Sequence, residues 1–471
     1  MNTKIKLSAW LKSARGGPAS GGKYDIWLIL LLAFLVRMIG FRWMGFTNFP
    51  EFYRDYYMVS HIAGGQIVLL GPPSMLHGFH FGPFYYYSML PFFLLFWGHP
   101  FSLIFTGIIF SVLSVYVFFE VMLLWFNSRA AALAGALFMA LSIYSIHLTS
   151  YVSNPNFLPL FVLWYFYYLT KILESRTATS AVSSRPNPNA SDLSTEASAK
   201  VEGERRDPST RMLLLGMTDY VYLGLSFGLC TQLHATAMII LPLVTLTTLI
   251  LNKYKPRLKT FDIFLSALIF TYLPYLFYEF THRFANFRRL FVLGTKELGG
   301  RHYASGLNAI WNFFQGTLTP FNYWYGYSNI QPNILYLVVA VFALAALIIL
   351  LYKIFIKRRP AQACIKISKT GYSIILSWIF FTCAVLLLFA RGVHDHYIII
   401  LWPVPMVILT YAVFWIKSRF NVFASLLALI IITSLLQIYS FYQLGHTPWS
   451  EFMPTYQSKY QNSAGVSEIG S

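Results

Sequence analysis

The sequence predicts an all-α protein that crosses a membrane many times. Hydrophobic residues fill 57% of its 471 positions and charged residues only 11%, too little charge to cover a soluble surface of that size. Runs such as 26–39, 334–351 and 426–436, with their flanks, reach the ~20 residues a helix needs to span a bilayer. The formal net charge of +18 sits in short basic blocks between those runs. That is the pattern of cytoplasmic loops and not of a nucleic-acid surface.

Apolar segments fall at 25–43, 82–98, 100–124, 130–147, 156–173, 216–233, 235–252, 262–280, 331–352, 371–391, 396–416 and 420–441. If every one crossed, the basic blocks at 174–215 and "NKYKPRLK" would face away from the basic N-terminus. Laying "FGPFYYYSMLPFFLLFWGHP" along the interface, as its Pro and Tyr content suits, leaves about 11 spans. Most of the 35 Lys and Arg residues then share the cytoplasmic side. The expected organisation is a basic cytoplasmic N-terminus (1–24) and a catalytic membrane module (25–173) whose first outer loop is 44–99. A Ser/Ala/Pro/Glu-rich cytoplasmic insert without apolar period (174–215) follows, expected to be disordered. The remaining membrane module (216–441) carries an outer loop at 281–330, and a short outer tail (442–471) completes the chain.

No small-residue cleavage site follows 26–39, so the first span is expected to be retained. Cys230, Cys364 and Cys383 give neither a disulfide framework nor metal-ligand spacing. Asn189 opens an "NAS" glycosylation tripeptide that would be inert on the cytoplasmic side. No internal repeat or inverted half is visible. Apart from Arg37, Glu120 and Glu279, expected near span ends or snorkelling outward, the spans carry almost no charge.

On this topology five segments deliver polar groups to the outer face. They are the region of "NFPEFYRDYY" through His61, His77 and His80; "SYVSNPN"; "QLH" at 232–234; the 281–330 loop; and "RGVHDHY" at 391–397. In a chain with only 17 acidic residues, Glu51 and Asp55 stand four apart around Arg54. On a short amphipathic helix the two acids share a face or bracket its start. A carboxylate there can take a proton from a hydroxyl acceptor. A guanidinium fork at Arg54, joined by Arg288, Arg289 and Arg301, suits phosphate oxygens. The other reading, a solvated interfacial pair at Glu51 and Arg54, stays open at this point.

Further residues carry paired readings. Tyr85 and Tyr86 form either a platform for sugar or isoprenoid, or an aromatic belt. His80 either donates to a phosphate or is a satisfied interfacial histidine. Asn154 and Asn156 bond sugar hydroxyls or cap the next helix. His234, His394 and Tyr397 are candidates for sugar or acceptor contact. The two histidines of "HDH", at i and i+2, cannot both face inward on a helix, so no metal is expected, nor any other cofactor.

The order of these parts resembles the GT-C glycosyltransferases of the protein O-mannosyltransferase and aminoarabinose-transferase superfamily. One span is followed by an acid-plus-Arg loop ("PEFYRD"), then an aromatic interfacial helix ("FGPFYYYSMLP"). A span ending in a short basic turn ("FNSRAAALAGALFMALS") follows, and a helix break comes next ("HLTSYVSNPNFLPLF"). "LGLSFGLCTQLHATAMIILP" and "HDHYIIILWPVPMVIL" come later. The likeness covers 25–252 and, more loosely, 371–416. It implies a polyprenyl-phosphate sugar donor, a hydroxyl acceptor (lipid, glycan or protein) and an inverting, metal-independent transfer outside a prokaryotic plasma (inner) membrane. Laid on this sequence, the family's catalytic carboxylate falls on Glu51 and its Arg on Arg54, with Asp55 an additional acid and a rival base. The family's Lys before Pro-Pro is absent, leaving His80 nearby; an Asp of its third outer segment is replaced by Asn154 or Asn156, and a later Lys by His234. Two other readings remain. A lipid-linked oligosaccharide polymerase or ligase would lean on arginines such as those of "THRFANFRRL". A sugar or lipid flippase would need broken helices and charges at mid-membrane.

Overall fold

The computed structural model describes residues 24–39, 50–74, 79–147, 149, 152–183, 208–289, 367–388, 397 and 399–417, with a few single positions between 427 and 438. The expected span at 331–352, most of that at 420–441 and the 442–471 tail lie outside the described residues. So do Arg301, His394 and His77.

The chain is an all-α, multi-pass membrane protein. In chain order it has α1 (Asp25–Ile39), α2 (Pro50–Ala63), α3 (Phe84–Leu95), α4 (Phe101–Phe126), α5 (Arg129–Leu141) and the short α6 (Ile143–His147). A 3-10 turn (Asn154–Phe157) leads into α7 (Leu158–Ser183), followed by α8 (Pro208–Leu233), α9 (Ala235–Leu251) and α10 (Leu258–Thr281). After the undescribed stretch come α11 (Lys369–Leu388), a 3-10 turn (Ile399–Leu401) and α12 (Val404–Lys417). Among the described residues five helices are long and apolar enough to cross a membrane: Phe101–Phe126, Asn154–Ser175, Leu258–Thr281, Lys369–Leu387 and Ile399–Ile416. α3, with 12 residues, reaches only ~18 Å, short of a ~30 Å hydrocarbon core. The insert at 174–215 is helical at both of its ends, because α7 continues to Ser183 and α8 begins at Pro208.

Consecutive helices reverse through short, specific connections. Asn127 adopts a left-handed conformation (φ 46°) after α4, and Ser128 caps α5 by accepting the Ala131 N–H. At that end of the bundle the Trp125 carbonyl accepts from the Ser368 amide at 2.6 Å, and Asn252 donates to Ser373 at 2.9 Å. The ends of α4 and α9 thus meet the start of α11. α8 and α10 cross at two glycines one turn apart. A Cβ on Gly224 would stand 2.3 Å from the Phe264 carbonyl oxygen, and one on Gly228 2.1 Å from Thr271 Oγ1. Small residues at this spacing let helix backbones touch where lipid offers no hydrophobic drive between helices.

Arg37 does not snorkel. It is wholly buried and donates to Ser111 Oγ (2.9 Å), Ser145 Oγ (2.7 Å) and the carbonyls of Ala33 (2.9 Å) and Ala140 (3.0 Å). One guanidinium thereby ties α1 to α4, α5 and α6. Glu279 is likewise buried, at 2% exposure, and faces neighbouring segments. Both stand in the last turn of their helices, as expected of span ends, but neither reaches outward. Lipid cannot satisfy a charged group, whereas carbonyls and hydroxyls of adjoining helices can. Arg37→Ala is expected to destabilise the bundle by about 3 kcal/mol, checked by the thermal unfolding midpoint of purified protein in detergent.

Candidate active site

α2 starts at Pro50, whose fixed φ and missing N–H suit the first helical position. Its buried stripe is Phe52, Asp55, Val59 and Ile62, the three-and-four spacing of a helix face turned to the core. One member of that apolar stripe is a carboxylate. Asp55 is fully buried, and its oxygens are held from two sides. Arg54 donates to Oδ1 through Nε at 2.8 Å and through a terminal nitrogen at 2.7 Å, and the Tyr85 hydroxyl donates to Oδ2 at 2.8 Å. Arg54 keeps 28% of its side chain exposed, and its charge acts on the Tyr86 hydroxyl. Glu51 lies one turn earlier on the same helix and is half-buried.

The electrostatics follow from burial. Removal from water pushes the Asp55 carboxyl up from 3.8 to about 6. The Arg54 charge and the bonds from Tyr85 and Arg54 oppose that rise, and the Glu51 charge adds to it. Burial, then the Asp55 charge, also raises both tyrosine hydroxyls, so they remain protonated donors. Neither ring forms an exposed belt, since Tyr85 is 0% and Tyr86 1% exposed. Tyr85 packs on Phe157 with centroids 5.2 Å apart, which brings the 154–157 turn against the site.

Beside this cluster, residues 71–74 and 79–82 pair with each other. Gly71 N donates to Phe81 O at 2.7 Å, Phe81 N to Pro72 O at 3.1 Å and Ser74 N to Phe79 O at 2.7 Å. A Cβ on Gly71 would stand 2.0 Å from the Gly82 carbonyl oxygen, and one on Gly82 2.2 Å from Gln232 Oε1. His80 lies in the second of these stretches, its Nδ1 3.1 Å from the Gly71 carbonyl. A carbonyl only accepts, so Nδ1 carries the proton and neutral His80 presents Nε2 as an acceptor. Burial lowers the His80 pKa, as do the charges of Arg289 and Arg54, against the Gly71 bond that raises it. Neutral His80 is therefore no phosphate donor; only its protonated form would be.

The remaining sequence candidates divide. Arg289 lies close enough to act on His80. Arg288 turns back to donate to the Arg283 carbonyl of its own segment. Asn154 spends its amide on the Leu233 carbonyl at 2.6 Å, pinning the helix break to the end of α8. His234 caps α9, accepting at Nδ1 from the Thr236 N–H, and meets Tyr397 edge-on at 5.4 Å. Asn156 is half-buried in the same 3-10 turn as Asn154. Among the described residues, no three His, Cys, Asp or Glu side chains gather where they could hold a metal ion.

Two residues that sequence reasoning missed hold these parts together. Gln232 accepts from Phe84 N at 3.3 Å and donates to Thr271 O at 2.8 Å, joining α8, α3 and α10. Asn286 bonds both backbone groups of His80. Neither has a local sequence signal, because each acts across tens to hundreds of residues.

No protein-family model matches the chain, and no curated protein matches it. Solved structures do. ArnT from Cupriavidus metallidurans bound to undecaprenyl phosphate aligns at TM-score 0.55 and 11% identity, over 85% of this chain and 61% of ArnT. The archaeal oligosaccharyltransferase AglB from Archaeoglobus fulgidus, in complex with an inhibitory peptide and a dolichol-phosphate, aligns at TM-score 0.50 and 12% identity, over 95% of this chain and 56% of AglB. The chain spans about three fifths of the length of these structures. It has the ArnT-like GT-C fold.

Two outcomes follow from the site's geometry. The Asp55 folded-state pKa lies above the ordinary value, so its contribution to stability is full below 3.8 and lost as pH rises through about 6. Unfolding midpoints in detergent across that range should fall with rising pH for wild type relative to Asp55→Asn. Gly82→Ala should displace Gln232 and cost about 1–3 kcal/mol, read by the same thermal measurement.

Proposed function

We propose that the protein transfers a sugar from a polyprenyl-phosphate donor to a hydroxyl acceptor on the extracytoplasmic face of a prokaryotic plasma membrane, with inversion and without a metal ion. The observation that carries this reading is the oriented guanidinium. Arg54 is fixed by a buried carboxylate yet keeps 28% of its side chain exposed, one helical turn or less from the half-buried Glu51. The GT-C fold, in which ArnT and AglB were solved with polyprenyl-type phosphates, supports the donor class.

In this reading Glu51 is the base and Asp55 the anchor of Arg54. Asp55 is shut away from an incoming hydroxyl, and both of its oxygens are engaged. The acceptor O–H gives its proton to the Glu51 carboxylate as the oxygen attacks the anomeric carbon. The bond from that carbon to the phosphate oxygen breaks, and the polyprenyl phosphate leaves with the negative charge. Arg54, with Arg289 beside His80, stabilises that charge as it grows. A single displacement inverts the anomeric centre.

The test is transfer by purified protein in proteoliposomes, offered a panel of synthetic polyprenyl-phosphate sugars. Glu51→Gln should lower kcat about 10²–10⁴-fold, the range of general-base catalysis. Asp55→Asn should instead act chiefly on donor KM, by freeing Arg54. Wild-type donor KM should rise as pH falls through about 6, where Asp55 takes up a proton, and Asp55→Asn should flatten that dependence. Full activity in Glu51→Gln would remove it as the base.

A further inference from the structure

The cations of the proposed donor site come from two chain segments far apart in sequence. Arg54 stands on α2, and Arg289 follows α10. One side chain bridges the segments directly. Asn286 is 1% exposed; its Oδ1 accepts from the His80 N–H at 2.8 Å, and its Nδ2 donates to the His80 carbonyl at 2.8 Å. A carboxamide thus pairs with a main chain as a neighbouring strand would, 206 residues away. The same Nδ2 donates to the Tyr275 hydroxyl at 2.8 Å. Glu279 accepts from the Phe287 N–H at 3.3 Å, which braces the segment carrying Asn286 against the end of α10.

We propose that Asn286 is a positioning residue. It latches the paired 71–74 and 79–82 stretches to the segment after α10 and so sets Arg289 beside Arg54, completing the anion site. This rests on the donor reading given above. Its chemistry is specific, because the pairing needs one donor and one acceptor on the same short side chain. Aspartate would face an acceptor to the His80 carbonyl and leave that oxygen unbonded. The Arg54 and Arg289 charges both act on His80, the residue whose backbone the latch holds. Releasing it should weaken anion binding while leaving Glu51 and the proton transfer untouched.

The experiment measures direct binding of undecaprenyl phosphate to protein in nanodiscs, alongside donor KM and kcat. It compares wild type, Arg54→Ala, Asn286→Asp, Tyr275→Phe, Arg289→Ala and the Asn286→Asp/Arg289→Ala double variant. The latch predicts about tenfold weaker binding and higher KM for Asn286→Asp, equivalent to ~1.4 kcal/mol, with kcat within about twofold of wild type. It also predicts that Asn286→Asp adds little once Arg289 is gone, since the two act through one site. Tyr275→Phe removes a single bond of the latch and should shift binding in the same direction by a smaller factor; it decides the question if Asn286→Asp does not fold. Wild-type binding in Asn286→Asp, or in Tyr275→Phe where that variant must decide, overturns the latch and leaves the donor reading standing if Arg54→Ala is weakened. Full additivity of Asn286→Asp with Arg289→Ala overturns it as well. No binding by wild type, or equal binding by wild type and Arg54→Ala, overturns the donor reading and the latch with it.

Discussion

The structure of the site depends on a carboxylate placed where an apolar side chain would ordinarily go. Asp55 occupies the core-facing stripe of α2 between Phe52 and Val59. A carboxylate there is tolerated only if hydrogen-bond donors replace water around it. Arg54 and Tyr85 do so, and each is fixed as a result. Tyr85 locks α3 to α2, and Arg54 is held in one orientation with part of its side chain still exposed. A charge costly to bury thereby gives the neighbourhood a single geometry.

The same rule recurs through the molecule at larger sequence separations. Arg37 gathers carbonyls and hydroxyls from three other helices. Gln232 satisfies an amide of α3 and a carbonyl of α10. Asn286 supplies both partners for the backbone of His80. Each is a polar group in a dry place, and each finds its partners on a different element. In a bundle built mainly of apolar helices these bonds give direction to packing that dispersion alone leaves loosely specified.

This arrangement also separates roles among residues of similar chemistry. Asp55 and Glu51 are both acids on one face of α2, but burial makes one an anchor and leaves the other accessible. Arg288 and Arg289 are adjacent, yet one bonds its own segment and the other acts on His80. His80 and His234 each commit Nδ1, the first as donor to a carbonyl and the second as acceptor in a helix cap. Residue type bounds what a side chain can do, and its neighbours choose among the options.

Composition and hydropathy alone determined that the chain is all-α and crosses a membrane several times, because a span must be long, apolar and internally hydrogen-bonded. The spacing of Glu51, Arg54 and Asp55 marked the helix that carries them, since three charges are conspicuous in a chain this poor in acid. The alternation of basic loops and the Pro and Tyr content also separated the short α3 from the spans. Tertiary structure decided the rest: that Asp55 is buried, that Tyr85 and Tyr86 face inward, that Arg37 points into the bundle and that Asn154 and His234 hold helix ends. It alone revealed Gln232 and Asn286. Local pattern reports a residue's preference for water or apolar surroundings over a few turns. Hydrogen-bond partners lying tens to hundreds of positions away are chosen by how the helices pack, and no local pattern records them.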